Sequence, residues 1–588
     1  MKGLPTADAP RPASWRAVDA VCLVALVFAC AKQVHALEQV LELGFWDEAD
    51  YLHGALLLPE QGLPDPEWGP LYSLWYFALS SVWPDPVALY DGSYRLLLLF
   101  TTTVGYVVLR RVGARPWLAL AGTSVYLLSM APHILPRPTL LALLVLLSAL
   151  LVASFLQEAE DFCAVVGVGL LVASFARPEY FVSFLLVSGL LLLLLVRRAF
   201  RDRSRVPRAL GTAMAYGLVA LALVGVFGNP FGNTSNRRFY AFCQHFAVNH
   251  VTRTGFEAEP WGECPKVIRA VFGEVDTVGA AVRSNPTEFL AHLGMNLKQY
   301  PLRFVRLFLQ EYGGVWPVPL LKAPEHIGHL LLLAVAASPL LFLAWRWRQL
   351  RAALAQARVW RTGLVAFAVS LPVVLAAVLI APRDHYLVLQ GVLGLAFLAA
   401  WASALRRSPG EAGAVEPVFA VGLALVLALV SPDLARHHHG PSPARPEYRE
   451  FVRAFRSLGL TARLAPGEGV GVLDTQGGLS VYLGAGYRRV PTYRKRPGEP
   501  FIEFLRRERI HVVVVDEMLW RHGRIGRDVD FRAFLSEPGA FGFVARSLPG
   551  TRGLLLLPRA WVEGDGSGNP LQRVEPASAP ATARSGSR

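Results

Sequence analysis

The sequence has 588 residues, of which 53% are hydrophobic and 17% charged, and a formal net charge of +14. Apolar runs long enough to cross a hydrocarbon core of roughly 30 Å recur along it, which excludes an ordinary soluble protein. The positive charge does not point to nucleic acid, because the arginines flank apolar runs and form no stripe on a soluble face.

Residues 1–16 carry Lys2, Arg11 and Arg16 and are read as a cytoplasmic N-terminus. The apolar run 17–36 behind them resembles a signal peptide, but further apolar runs follow it, so it is expected to stay as a first transmembrane helix. The loop 37–93 holds Asp47, Glu48, Asp50, Asp65, Glu67, Asp85 and Asp91 with no lysine or arginine, which places it outside. Within it, Leu71 to Trp83 is apolar but short, and its tryptophans and tyrosines suit the headgroup level. Spans are expected at 94–110, 115–131, 139–156, 162–176, 179–196, 209–228, 327–345, 361–381, 385–404 and 415–431. With the first, this makes about eleven in a transmembrane domain over 17–431.

Arginine clusters such as Arg110, Arg111 and Arg115, or Arg197 to Arg208, fall in the inside connections, whereas Arg137, Arg177 and Arg383 stand alone at outside turns. The large outside segment 229–326 has amphipathic stretches such as 286–311 and reads as a helical cap on the membrane surface. It contains Cys243 and Cys264, and an oxidising compartment allows a disulfide between them. Cys22, Cys30 and Cys163 fall in spans and read as small buried hydrophobes. An odd span count puts the C-terminal domain, 440–564, outside as well. Its order of helix Pro446–Leu458, strand Gly469–Asp474, helix Phe501–Arg509, strand His511–Glu517, helix Asp528–Leu535 and strands near 541–557 predicts a small α/β domain. Residues 565–588 are too poor in apolar side chains to fold. The expected fold is thus an α-helical polytopic membrane protein with a C-terminal extracytoplasmic α/β domain.

The string Phe45-Trp46-Asp47-Glu48-Ala49-Asp50-Tyr51 follows the first span directly, and Trp68-Gly69-Pro70-Leu71-Tyr72 comes after it. A partly desolvated carboxylate at a membrane surface can act as a general base or hold a divalent cation, so Asp47 and Glu48 are candidates for either role. The plain alternative is a solvated acidic loop end. This arrangement resembles the GT-C superfamily of polyprenyl-phosphate-sugar-dependent glycosyltransferases, in its protein O-mannosyltransferase and aminoarabinose transferase branch. The likeness covers the first 430 residues or so in architecture. It is carried by Asp47, Glu48 and Tyr51, by Pro70-Leu71-Tyr72, by Arg177-Pro178 at an outer turn and by Pro382-Arg383 before a late span.

The resemblance implies transfer of a sugar from a polyprenyl-phosphate donor to a glycan, lipid or protein acceptor on the outer face of a bacterial inner membrane, with inversion. Asp47 would take the acceptor proton, Glu48 would orient the acceptor or share a metal, and Tyr51 and Tyr72 would contact substrate. Arg177 and Arg383 would bind the donor phosphate, with Arg137 and His385 as further contacts, although Arg177 could pair with Glu179 and Arg383 with Asp384. No cofactor is required by the motifs beyond an optional divalent metal ion; membrane lipids are partners and nucleic acid is not. The sequence departs from the family where a basic residue before Pro-Leu-Tyr is replaced by Gly69, and where an acidic residue of the second outer loop gives way to Arg137-Pro138. A lipid or solute transporter is the second reading, favoured less because the charges gather outside the spans, and a non-catalytic envelope scaffold is the third, kept open by the Gly69 and Arg137 departures.

Other features take plain readings. His437 to His439 lie in a loop without a matched set of ligands. Gly467-x-Gly469-x-Gly471 leads into a strand and not from strand to helix. Asp516-Glu517 reads as a solvated strand edge, and the sequon at Asn233 as inert in a bacterium.

Overall fold

A computed structural model describes residues 13–39, 41–232, 236–309, 356–405, 415–431, 447–465, 468–522, 525–548 and 554–563. Two compact units emerge. One draws on the described residues of Met1–His35, Leu63–Leu74 and Tyr94–His437; the other on those of Ala36–Gly62, Trp75–Ser93 and His438–Arg588.

The first unit is helical: α1 (Ala13–Val34), most of α5 (Pro86–Arg111), α6 (Pro116–Leu128), α7 (Pro138–Ala153), α8 (Ala159–Ser174), α9 (Tyr180–Arg201), α10 (Val206–Phe227), α15 (Ala357–Leu379), α16 (Asp384–Leu405) and α17 (Val415–Val430). Several start on a proline, whose missing N–H costs nothing in the first turn and whose fixed φ favours the helix. Among the described residues six helices are long and apolar enough to cross a membrane, and α6, α7 and much of α17 are shorter apolar helices. Every expected span falls on one of these ten helices except 327–345, which lies outside the described residues, as do His437 to His439 and the 565–588 tail. The expected boundary moves most at α5, which starts at Pro86 and takes Asp91 into its first turns.

One buried charge of the bundle is matched between helices. Asp19 of α1 receives Nε of Arg110 at 2.6 Å and the Tyr106 hydroxyl at 2.8 Å, tying α1 to α5. A Cβ on Gly169 would come within 2.3 Å of the Ala149 Cβ, so α7 and α8 pack closely through small residues. The expected cap forms as α11 (Arg237–Thr254), α12 (Cys264–Phe272), α13 (Val278–Ser284) and α14 (Pro286–Leu309). Its core gathers Phe242, Phe246, Val267, Phe272 and Phe289 around a disulfide between Cys243 and Cys264. Below that core, Asn249 Nδ2 lies 2.9 Å from His292 Nδ1 and 2.9 Å from Asn296 Oδ1, and Asn296 donates to the carbonyls of Val378 and Ile380 where α15 ends. These bonds satisfy carbonyls that a helix terminus leaves without intrahelical partners.

The second unit joins α2 (Asp47–Leu56), α3 (Leu58–Gln61) and the second half of α4 (Pro70–Ser80) to the C-terminal domain. That domain is a five-stranded sheet in the order β2-β1-β3-β5-β4, from β1 (Val470–Leu473), β2 (Tyr487–Val490), β3 (Val512–Val515), β4 (Phe543–Ser547) and β5 (Leu554–Pro558). Strands β1, β2 and β3 are parallel, with Val470 beside Tyr487 and Val472 beside Val512; β5 runs antiparallel to both β3 and β4. Helices α18 (Glu447–Arg456), α19 (Leu479–Leu483), α20 (Phe501–Arg507), α21 (Glu517–Arg521), α22 (Val529–Ser536) and α23 (Arg559–Glu563) complete it. The all-valine β3 is buried, as a central parallel strand covered on both faces requires, and Leu473, Phe501, Phe504, Phe531 and Phe534 fill the core. Because β1 leads to β2 on one side and β2 leads back to β3 on the other, the chain reverses its direction of winding beside β1.

Candidate active site

The carboxylates sit on α2. Trp46 precedes it with φ at 56°, a left-handed conformation that a bulky residue adopts only when its surroundings impose it. Its N–H donates to the Gly477 carbonyl at 2.8 Å. Three acidic residues in the first turn, Asp47, Glu48 and Asp50, complement the positive end of the helix dipole.

The expected side-by-side pair does not converge. Successive residues on a helix are about 100° apart. Glu48 turns inward, is 1% exposed, and accepts the Tyr76 hydroxyl at 2.6 Å. Asp47 is half-buried and shares its face with Asp50, one turn on, the two charges repelling each other. Asp50 pairs with Arg489 of β2 at 2.5 Å. Burial raises the Asp50 pKa, and Arg489 is the main counterweight. Among the described residues no three His, Cys, Asp or Glu side chains gather for a metal ion.

The expected phosphate ligands belong to the helical unit, and three of the four come together. Arg177, Arg383, His245 and Arg237 all act electrostatically on His385, a buried residue in the first turn of α16. Arg177 is buried, donates from Nε to Glu179 Oε1 at 2.8 Å as one alternative foresaw, and lies 5.0 Å from the centre of the Tyr386 ring. Asp384 does not take Arg383; it lies 3.9 Å from Arg303. Burial, then Arg383, His292 and Arg303, push the His245 pKa down to about 3, as expected of an imidazole within a cationic environment. Arg137 is wholly buried, 4.1 Å over the Tyr94 ring, and it acts on His133, with which Tyr94 shares a hydrogen bond. Tyr51 and Tyr72 are 4% and 0% exposed.

Gly69 has a structural cause. Its φ is +64°, and a Cβ there would come within 2.5 Å of the Ala176 carbonyl oxygen. Leu71 N–H donates to the Phe175 carbonyl at 3.0 Å, so the Pro-Leu-Tyr element lies directly on the turn that carries Arg177. No side chain fits at position 69. Arg237 instead brings a cation to this segment, 3.6 Å over the Trp68 ring and donating to the Glu67 carbonyl at 2.8 Å. Arg237 and His245 lay in a segment read only as a cap; a basic Arg237-Arg238 pair and a histidine one helical face onward were the signals available.

No family model matches the sequence, and no curated protein does. In structure the chain is similar to ArnT from Cupriavidus metallidurans in the apo state, at 13% identity over 93% of this chain and 98% of that one, with a TM-score of 0.40. It is similar to the same protein bound to undecaprenyl phosphate, at 13% identity over 92% and 97% of the two chains, with a TM-score of 0.33. A third similarity is to the Archaeoglobus fulgidus oligosaccharyltransferase complexed with zinc and sulfate, at 11% identity over 91% and 72%, with a TM-score of 0.38.

Proposed function

We propose that this chain is a membrane glycosyltransferase that moves a sugar from a polyprenyl-phosphate donor to an acceptor at the outer face of a bacterial inner membrane. The observation that supports this reading is that Arg177, Arg383 and Arg237 all bear electrostatically on buried His385 in the first turn of a helix read as a span, with the Arg177 guanidinium 5.0 Å from the neighbouring Tyr386 ring. A cationic environment of this kind suits a phosphate.

In the reaction, Asp47 accepts the proton of the acceptor hydroxyl while that oxygen attacks the anomeric carbon. The bond from that carbon to the phosphate oxygen breaks on the opposite face, its electron pair staying with the polyprenyl phosphate. The arginines stabilise the charge that grows there, so the products are an inverted glycoside and the free lipid phosphate.

The test is mass spectrometry of envelope glycans and glycolipids from cells lacking this chain, complemented with wild type or Asp47→Asn. Wild type is expected to restore the missing glycan and Asp47→Asn to fall at least about 100-fold short, the usual worth of a positioned base. Equal restoration by both would remove Asp47 from the chemistry.

A further inference from the structure

The C-terminal sheet has the order in which α/β folds usually take a ligand: parallel strands whose connections part to opposite sides leave a crevice at their carboxyl ends. In this protein that edge holds a piece of the chain itself. The turn after β1 carries Gly477 and Gly478 at φ of +67° and +137°; a Cβ on the first would strike the Trp46 ring at 2.5 Å and on the second the Ala49 Cβ at 2.2 Å. The glycines bring the turn's backbone against the start of α2, where Gly477 accepts the Trp46 N–H. The Tyr482 hydroxyl of α19 donates to the Gly44 carbonyl just ahead of the helix.

At the carboxyl ends of β1 and β3 the polar groups are tied to one another. The Thr475 hydroxyl and the Gln476 amide both donate to Asp516, at 2.6 and 2.7 Å, and Asp516 also accepts the Leu519 N–H that begins α21. Asp516 is therefore a structural acceptor and not the solvated edge its sequence suggested. Asp474 is 3% exposed, accepts the Gly478 N–H, and has Arg489 as the foremost group opposing its burial. Arg489 thus bonds to Asp50 on α2 and acts electrostatically on Asp474 at the end of β1.

We propose that Arg489 is a positioning residue that, together with the Gly477-Gly478 turn, fixes the carboxylate helix α2 on the sheet edge and so sets the direction of Asp47, one turn from the paired Asp50. The C-terminal domain then serves the reaction by aiming the base. This rests on the glycosyltransferase reading only for what Asp47 does once aimed. Arginine suits the task because its planar guanidinium gives the bond to Asp50 a fixed direction. Lysine retains the charge and part of the bond.

Hydrogen exchange of the full-length protein in detergent, followed by mass spectrometry, tests it for wild type, Arg489→Ala and Arg489→Lys. Arg489→Ala is expected to speed exchange at least about tenfold across Asp47–Leu56 while the core peptide 501–515 stays protected, and Arg489→Lys to recover most of the protection. Unchanged exchange in α2, or equal loss in 501–515, overturns the proposal. In the complementation assay Arg489→Ala is expected to lose sugar transfer in proportion, with Arg489→Lys rescuing it; a loosened α2 with full transfer also overturns it. Full transfer by Asp47→Asn would remove Asp47 from the chemistry and leave the exchange result to judge the clamp, whereas absence of any sugar change on deletion of the chain would sink the glycosyltransferase reading.

Discussion

The pair formed by Arg449 and Asp91 gives the most quantitative test of how the second unit is held together. Arg449 on α18 and Asp91 on α5 have side chains 4% and 10% exposed and meet through two parallel bonds, Nη1 to Oδ2 at 2.9 Å and Nη2 to Oδ1 at 2.7 Å, while Nε donates to the Leu41 carbonyl. Arg449→Met leaves a buried carboxylate without its counter-ion, which costs about 3–5 kcal/mol. For a unit of this size that is a fall in Tm of about 10 °C. Adding Asp91→Leu removes the orphaned charge, so the double variant is expected to recover most of the loss and retain a deficit of about 1 kcal/mol for the Leu41 carbonyl. Thermal unfolding of purified full-length protein, followed by tryptophan fluorescence, reads all three. If the single variant loses less than about 1 kcal/mol, or if the double variant loses the sum of the two singles, the pair is not the buried unit described.

Two further outcomes concern the cap. Burial holds the His292 pKa down to about 4, against an ordinary 6.5, so the unfolded chain takes up a proton that the folded one refuses. Its contribution is complete above pH 6.5 and is lost as pH falls toward 4, a decline on the order of 3 kcal/mol; His292→Gln is expected to flatten that acid limb in a pH series of unfolding midpoints. The Cys243–Cys264 bond spans a sequence separation of 21, and its removal by Cys243→Ser with Cys264→Ser is expected to cost about 3 kcal/mol. Protection of α11 and α12 from hydrogen exchange measures that loss, and unchanged protection would show the bond to be dispensable.

The helical plan was legible because a span announces itself by length and apolarity alone. The α/β domain was legible in outline from Val470–Leu473 and the valine run of β3, but β2 was not: Tyr487-Arg488-Arg489-Val490 is half-exposed and basic, and it becomes a strand through pairing with β1. Asp47 and Arg177 could be named from motifs, whereas Arg237 and His245 could not, since they enter through tertiary contacts of a helix with no motif. Nothing in Arg-Pro at a turn reveals that the Arg137 guanidinium lies against the Tyr94 ring. The partner of Asp50 was invisible for the plainest reason: it lies some 440 positions away in sequence, a separation that no local pattern reports.

One folded unit assembled from residues before Ser93 and after Glu447 also obeys a parity rule. Its two parts must meet in the same compartment, so the chain between them has to cross the bilayer an even number of times, as the ten spans expected there would. Deleting any one of those helices would deliver the strands to the wrong side, and during biogenesis the acidic helix has to wait for the last fifth of the chain before it acquires its seat.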